Sequence, residues 1–262
     1  MDLREIALNK SQKRHPWELA RIRVIKHFIR GLKKEYGKEL TILDIGSGDS
    51  YLIKELSEEF KEASFYAVDI NYDDAYLVKT NSEFASENRK IRVYQSLSAA
   101  EAEIQSKVNL ILLLDVIEHV SDDVLLLSEL AKSPRVDEKT NFLITVPAYQ
   151  ALFCSHDVFL GHYRRYNNTL LRKNISKAGL QVAESGYFFT SLLAPRFLQV
   201  FLEKKFTPEK EVTGIGNWDG NRLVSKVFEN ILYLDFKMSD LVKKLGVTLP
   251  GLSNYAVCKR LV

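Results

Sequence analysis

Apolar-rich runs and helical patterns alternate along the chain. Short runs rich in apolar residues are typical of strands that are buried on both faces of a sheet. We expect strands at residues 40–45, 64–68, 91–94, 108–114, 141–146, 180–189 and 254–262. Helical segments separate the first six of these runs. Such alternation predicts an α/β fold with a doubly wound sheet.

The residues between the last two runs are predicted to form a helical insert. Residues 191–206 have the pattern of an apolar helix broken near Pro195, and residues 207–217 that of a loop. The next helix carries a seam of apolar residues at spacings of four and three, namely Val227, Ile231, Leu234, Met238, Leu241 and Leu245. We expect this seam to pack on its own domain, and a dimer contact is the alternative.

A basic helix is predicted ahead of the first strand, opening at His15, Pro16 and Trp17 and ending near Gly37. It is interpreted as a solvated helix that covers the domain; alternatively, His15 and Trp17 help to close a ligand pocket. We therefore expect one domain in four parts: 1–37, an N-terminal arm and helix; 38–190, the α/β core; 191–250, the helical insert; and 251–262, the final strand.

Composition narrows the class of protein. The 262 residues are 46% apolar, which suits one sizeable domain. Lys and Arg number 37 against 34 Asp and Glu, and this balance does not indicate a nucleic-acid partner. The two cysteines lack metal-ligand spacing and favour a reducing compartment. No signal core or membrane-length apolar run occurs, so a cytoplasmic location is expected.

A glycine loop follows the first predicted strand. Asp44 interrupts that strand near its end, and Gly46, Ser47 and Gly48 follow directly after it. A dinucleotide fingerprint requires a third glycine, but Tyr51 occupies that position. Asp49 is the expected N-cap of the next helix, and its carboxylate would repel a pyrophosphate but not a cation. The loop therefore favours a cationic, adenosine-bearing ligand.

Polar residues also end two further strands on the same edge of the sheet. Asp69, followed by Ile70, ends the second strand, and its carboxylate can accept hydrogen bonds from ribose hydroxyls. Asp115 and Val116 end the fourth. His119 lies just beyond, as a catalytic base or as a histidine that holds the turn.

Histidines and charged residues crowd into the segment after the fifth strand. This block contains His156, Asp157, His162, Arg164, Arg165 and Tyr166. It is either a substrate-binding loop or a structural loop held by ion pairs such as Asp157 with Arg164. A metal site from His156, Asp157 and His162 has weaker support, and no metal is predicted.

These motifs resemble those of a known enzyme family. D-I-G-S-G over 44–48 resembles motif I of the class I S-adenosylmethionine (SAM) methyltransferases. D-V-I-E-H-V over 115–120 resembles motif IV in its ubiquinone-biosynthesis type. The stretch S-H-D-V-F-L-G-H-Y-R-R-Y over 155–166 is similar to a block in bacterial methyltransferases found in saccharide and cell-surface biosynthesis settings.

The resemblance implies a Rossmann-like, seven-stranded sheet with an antiparallel last strand, SAM as the cofactor, and methyl transfer to a small-molecule or saccharide-type acceptor on oxygen. It assigns cofactor binding to Asp44, Gly46, Ser47, Gly48, Asp69, Ile70, Asp115 and Val116. The base candidates are His119, His156 and His162, and the acceptor-binding candidates are Asp157, Arg164, Arg165 and Tyr166. The protein is expected to be a monomer or homodimer.

Two other classes of protein remain open on the sequence. One is an NAD-dependent oxidoreductase, which Asp49 and the missing third glycine disfavour. The other is a protein with the SAM-binding fold that acts as a non-catalytic subunit of an assembly.

Overall fold

The computed structural model describes residues 14–36, 39–206, 218 and 220–261. Within these ranges every predicted strand is present, with ends that lie within two residues of the expected ones. The strands are β1 Thr41–Ile45, β2 Ser64–Val68, β3 Ile91–Tyr94, β4 Leu110–Leu114, β5 Asn141–Pro147, β6 Leu180–Phe188 and β7 Ser253–Arg260.

Helices alternate with the strands through the first half of the chain. They are α1 Pro16–Tyr36, α2 Tyr51–Glu59, α3 Asp74–Ser86, α4 Leu97–Glu103, α5 Asp123–Lys132, α6 Ser155–Leu160, α7 Asn168–Lys177, α8 Leu193–Phe206 and α9 Arg222–Lys244. Short 3₁₀ turns cover Ile117–His119, Gln150–Leu152 and Thr190–Leu192. No helix of the described ranges is long and apolar enough to cross a membrane.

The strands form one sheet in the order β3-β2-β1-β4-β5-β7-β6. Pairs among β1 to β5 are parallel, whereas β7 runs antiparallel to both β5 and β6. The predicted Rossmann-like fold with an antiparallel last strand is confirmed. Because the chain order reverses between β1 and β4, the carboxyl ends of these strands open the crevice where ligands bind in such sheets.

Apolar clusters cover both faces of the sheet. All five residues of β4 are buried, as the unbroken apolar run predicts. Helices α1, α2, α3 and α9 contribute to the cluster on one face, and α4, α5 and α7 to the cluster on the other. Full burial of a Leu or Ile side chain is worth about 1.5–3 kcal/mol, so this two-sided burial is the main source of the sheet's stability.

Helix α1 does not only cover the domain on its solvent side; it also packs into the core and contacts α9. One side of it is buried in the core through Ala20, Val24, Ile25 and Ile29. On the opposite side, Arg23 Nη1 donates a hydrogen bond to Glu229 Oε1 of α9 at 3.1 Å. The helix therefore joins the sheet to the insert.

The apolar seam predicted on α9 faces outward, so the expectation that it packs on its own domain is wrong. Leu234 is 62% exposed and Leu245 78% exposed. The apolar residues that α9 buries are Leu232 and Phe236, which lie on a second apolar stripe. Two stripes with helical spacing coexist on this helix, and the sequence pattern does not tell which one meets the core.

Helix α8 is continuous, contrary to the predicted break near Pro195. Pro195 lies in the first turn, where its missing N–H has no helical partner to lose. All of the predicted arm over residues 1–14 except Arg14 falls outside the described residues, as do the helix end at Gly37 and the loop 207–217.

Two glycines should respond oppositely to replacement by alanine. Gly31 lies inside α1 with no heavy atom within 4 Å of an added β-carbon, so Gly31→Ala should raise the free energy of unfolding by about 0.5–1 kcal/mol. A β-carbon on Gly251 would lie 2.7 Å from the carbonyl carbon of Phe188, so Gly251→Ala should lower it. Urea denaturation checks both; equal effects would contradict the described packing.

Candidate functional site

A cavity of about 1030 Å³ lies at the carboxyl ends of β1, β2, β4 and β5. Predicted site residues that line it are Gly46, Gly48, Asp69, Ile70, Asp115, Val116, His119, His156, His162 and Arg165. Asp44, Ser47, Asp157, Arg164 and Tyr166 are not among its lining residues. The cavity thus brings the predicted cofactor side together with the three base candidates and with one of the four acceptor-binding candidates, Arg165.

The glycine loop is held tightly against β2. Gly46 and Gly48 have φ angles of 71° and 59°, which favour glycine. The amides of Gly46 and Ser47 both donate to the carbonyl of Val68, at 2.8 and 3.1 Å. A β-carbon on Gly46 would lie 2.7 Å from Val116 Cγ2. The fold itself therefore requires glycine here, so a Gly46 variant would not isolate an effect on the ligand.

Helix α2 begins differently from the prediction. Its N-cap is Ser50 in a left-handed conformation, not Asp49, and it makes no side-chain cap bond. The Ser50 hydroxyl instead bonds the hydroxyls of Tyr72 and Tyr76, at 2.8 and 3.1 Å. Asp49 pairs with Arg14 at the start of α1. Its carboxylate is thus neutralised by a neighbour, which weakens the electrostatic argument for a cationic ligand.

Asp69 occupies the position expected of a ribose-binding carboxylate. Its Oδ2 accepts from the amide of Gly48 at 2.9 Å, and its Oδ1 accepts from the amide of Asn71 at 2.9 Å. Asp69 Oδ1 also accepts from Asn71 Nδ2 at 3.0 Å, so Oδ2 is the oxygen that has a further lone pair for a ligand hydroxyl. Neighbouring Ile70 is 82% exposed at the cavity, an apolar surface suited to an aromatic ring. This pair fits the adenosine part of SAM.

Asp44 is buried behind the glycine loop and is only 2% exposed. Burial raises the pKa of its carboxyl to about 7. Within the described ranges, Asp44 Oδ2 and Ser47 Oγ have no geometric hydrogen-bond partner. The predicted carboxylate is therefore present beside the loop, but it is not a freely exposed charge.

Asp115 is paired with an arginine that the sequence analysis did not select. Arg21 Nη2 of α1 lies 3.0 Å from Asp115 Oδ2, and the Thr145 hydroxyl donates to Asp115 Oδ1 at 3.1 Å. Asp115 has φ 58°, which is uncommon outside glycine. The two contacts hold the turn after β4 in this strained form. Arg21 also balances the charge of the Asp115 carboxylate.

Glu118 is the site residue that the sequence analysis overlooked. It lines the cavity, yet its side chain is fully buried. Burial, assisted by the nearby charge of Asp115, raises the pKa of Glu118 well above its ordinary value. Glu118 lies inside the D-V-I-E-H-V motif, directly before His119, and this position in the sequence could have marked it as a candidate site residue.

Asp157 holds together the segment over residues 155–166 that follows β5. Its Oδ1 lies 2.8 Å from His162 Nδ1 and accepts from Arg165 Nε at 2.8 Å, and its Oδ2 accepts from the amide of Cys154 at 2.9 Å. Burial alone would raise the pKa of Asp157, but the hydrogen bonds of His162 and Arg165 outweigh it and hold that pKa well below its ordinary value. The ionised carboxylate fixes the ring of His162.

Arg164 and Tyr166 face away from the cavity. Arg164 Nη1 lies 3.2 Å from Asp123 Oδ1, and the hydroxyl of Tyr166, a fully buried residue, donates to Asp123 Oδ2 at 2.7 Å. The expected pair of Asp157 with Arg164 is wrong, because Asp157 pairs with Arg165 instead. Neither residue's surroundings support a contact with the acceptor.

Helix α1 and the insert close the other side of the cavity. The ring of His15 contacts that of Trp218 at 5.2 Å between centroids, and both residues line the cavity with Trp17. Arg196 of α8 also lines it and donates to Cys154 Sγ at 3.0 Å. The insert, which carries no chemical signal in the sequence, therefore contributes polar side chains to the site.

Comparison with known proteins identifies the class. The model of a methyltransferase domain matches residues 17–185, which is more than half of the chain. The chain therefore belongs to this family and is a class I SAM-dependent methyltransferase, as its motifs predict. The match favours this interpretation over an NAD-dependent oxidoreductase. No curated protein matches the chain.

Solved structures share the fold at low sequence identity. A sarcosine dimethylglycine methyltransferase from Galdieria sulphuraria aligns at 12% identity and a TM-score of 0.50, over 88% of this chain and 84% of that one. A chain of the Haloferax volcanii complex between the Trm112 methyltransferase activator and a methyltransferase aligns at 15% and 0.50, over 93% and 94%.

A longer enzyme is also similar. The mitomycin 7-O-methyltransferase MmcR aligns at 10% identity and a TM-score of 0.47, over 84% of this chain. The chain spans about half of that protein, 49% of its length. At these identities the likenesses concern the fold alone.

The raised pKa of Asp44 predicts a pH-dependent stability. The folded state holds this proton more tightly than the unfolded chain does, so the stabilisation is complete below the ordinary pKa and is lost as pH rises to about 7. One pKa unit corresponds to about 1.4 kcal/mol, so between pH 4 and pH 8 Asp44→Asn should gain up to about 4 kcal/mol relative to the wild type. Urea denaturation without SAM measures this; a pH-independent difference would contradict it.

Proposed function

We propose that the protein transfers the methyl group of SAM to a hydroxyl oxygen of a small-molecule or saccharide-type acceptor. The observation that carries the proposal is that one cavity is lined by both the glycine-loop side and the histidine side. Methyl transfer requires donor and acceptor to meet in line, and a shared cavity of about 1030 Å³ has room for both.

The residues present fit the cofactor. Gly46 and Gly48 leave the loop backbone open to a ligand, Asp69 offers an unused lone pair on Oδ2, and Ile70 offers an exposed apolar side chain. In this proposal Asp44 and Ser47 support the loop from behind. Asp115 and Val116 flank the reacting end, where Arg21 sets the position of the Asp115 carboxylate.

The chemistry demanded of the protein is modest. SAM, when bound, supplies a methyl group that is already electrophilic. A hydroxyl acceptor must lose its proton, and His162 is the best-positioned base because Asp157 fixes its ring through Nδ1, leaving Nε2 as the basic nitrogen. His119 lies beside it, with ring centroids 4.6 Å apart, and His156 also lines the cavity.

Cationic side chains at the cavity favour an acceptor that is polar or anionic. Arg165 and Arg196 line the histidine side of the cavity, and guanidinium groups suit carboxylate, phosphate or hydroxyl-rich ligands. Arg165 is also a buried partner of Asp157, so its replacement should destabilise the fold as well as acceptor binding.

Screening acceptors for production of S-adenosylhomocysteine tests the proposal. Phenols, catechols, sugar nucleotides and free saccharides are incubated with protein and SAM, and the methylated atom is located by NMR. Turnover only of amine or carbon acceptors would contradict oxygen methylation. SAM binding without turnover of any acceptor would favour the non-catalytic subunit.

The cofactor assignment predicts weaker binding on loss of Asp69. Hydrogen bonds to a charged group are worth about 1.5–3 kcal/mol each, so Asp69→Ala should weaken SAM binding at least about tenfold. Calorimetry measures the affinity, and Asp74→Ala, an exposed aspartate on α3, is the matched control. An affinity equal to that of the control would refute the ribose role, provided circular dichroism shows both variants folded.

The base assignment predicts a loss of rate without a loss of cofactor. His162→Gln should lower kcat roughly 10²- to 10⁴-fold at unchanged SAM affinity, since general base catalysis contributes about that much. His27→Gln on α1, outside the cavity, is the control. A His162 variant with the wild-type rate would transfer the role to His119 or His156, which the same substitution tests.

A further inference from the structure

One polar group in the cavity has no use in the proposed reaction. The carboxylate of Glu118 is 0% exposed, and in the described part of the chain neither of its oxygens has a hydrogen-bond partner. Leaving a buried polar group unsatisfied destabilises a fold by about 1–3 kcal/mol, and more for a charged one. A base formed by His162 and Asp157 does not require this carboxylate, so its presence needs another explanation.

Two imidazoles lie beside this carboxylate. Ligand atoms of Glu118, His119 and His162 all lie within 4.8 Å of one another. The histidine rings are nearly perpendicular, with an interplanar angle of 79°. Three donor groups of this kind, converging at the wall of a cavity, can surround one ion.

The surroundings orient one of these donors. His162 Nδ1 is taken by Asp157 Oδ1 at 2.8 Å, so its other ring nitrogen is the one available to an ion. Asp157 is held in turn by Arg165 and by the amide of Cys154. A carboxylate that fixes the ring of a ligating histidine is a recurrent feature of metal sites.

We propose that Glu118, His119 and His162 form a binding site for a divalent transition-metal ion, with open coordination positions toward the cavity. Ion binding does not require that the protein transfers methyl groups, although a bound ion would take the place of the His162 base in the proposed reaction. The further suggestion that an acceptor oxygen occupies an open position rests on the proposed function. Asp157, which the sequence analysis considered as a ligand, instead acts behind His162.

The donor set indicates the kind of ion. Two imidazoles and one carboxylate suit Zn²⁺, Co²⁺ or Mn²⁺, whereas Mg²⁺ and Ca²⁺ prefer oxygen ligands throughout. Three protein ligands leave at least one position free on a four-coordinate ion, as in catalytic zinc sites. With an ion bound, His119 and His162 serve as ligands, and neither is free to act as a base.

Calorimetry on untagged, chelator-treated protein tests the proposal directly. Titration with ZnCl₂, CoCl₂ and MnCl₂ should give one saturable site per chain for at least one ion. Glu118→Gln keeps the side-chain shape but removes the charge, and should weaken that binding at least about tenfold, a change of 1.4 kcal/mol. Glu129→Gln, at an exposed position of α5, is the matched control and should bind like the wild type.

Two further measurements keep the test decisive. His119→Ala should also lose the site, and the ion should raise the melting temperature of the wild type but not of Glu118→Gln, because only a state that binds the ion is stabilised. Absence of saturable binding by the wild type, or equal binding by Glu118→Gln and Glu129→Gln, would overturn the proposal.

The outcomes separate this inference from the proposed function. Methyl transfer that persists at full rate after chelation, together with absent ion binding, refutes the metal site and leaves the methyltransferase proposal standing. Ion binding that depends on Glu118, without turnover of any acceptor, supports the site and refutes the proposed reaction.

Discussion

The buried carboxylate of Asp157 is the contact on which the histidine side of the cavity depends. It collects hydrogen bonds from Cys154, His162 and Arg165, and Arg165 in turn donates to the carbonyl of Ala148 after β5. Removing one member of a buried ion pair typically destabilises a protein by about 3–5 kcal/mol. One carboxylate therefore fixes the end of β5, the start of α6 and the loop that carries His162, and whatever His162 does in the cavity depends on it.

On the glycine-loop side of the cavity, the carboxylates are paired or buried in a different way. Arg14, just before α1, pairs with Asp49, and Arg21 of α1 pairs with Asp115. Burial raises the pKa of Asp44 to about 7. Asp69, at the same edge, instead accepts its hydrogen bonds from the amide groups of Gly48 and Asn71. A cationic ligand would have to compete with two arginines for the carboxylates of Asp49 and Asp115. Helix α1 is thus an electrostatic part of the site, although the sequence analysis considered it chiefly as a cover.

The sequence predicts the strands well because burial on both faces leaves unbroken apolar runs, and β4 is the clearest case. Asp69 and Asp115 were found because polar residues at strand ends stand out against those runs. Long-range partners were not predictable: Arg164 and Arg165 are neighbours, and only the fold decides that one meets Asp123 and the other Asp157. Glu118 was missed for a related reason, since the sequence does not reveal that a carboxylate is buried without a partner.

The position of β7 in the sheet has a consequence for how the chain folds. Among the strands that the structure describes, β6 lies at the sheet edge and pairs with β7 alone, which follows it after two intervening helices. During synthesis β6 must wait, unpaired, until β7 leaves the ribosome. Pairings of such high sequence separation form slowly, and unpaired strand edges are prone to aggregate. Residues 252 and 253, which line the cavity just ahead of and at the start of β7, are then among the last parts of its wall to form.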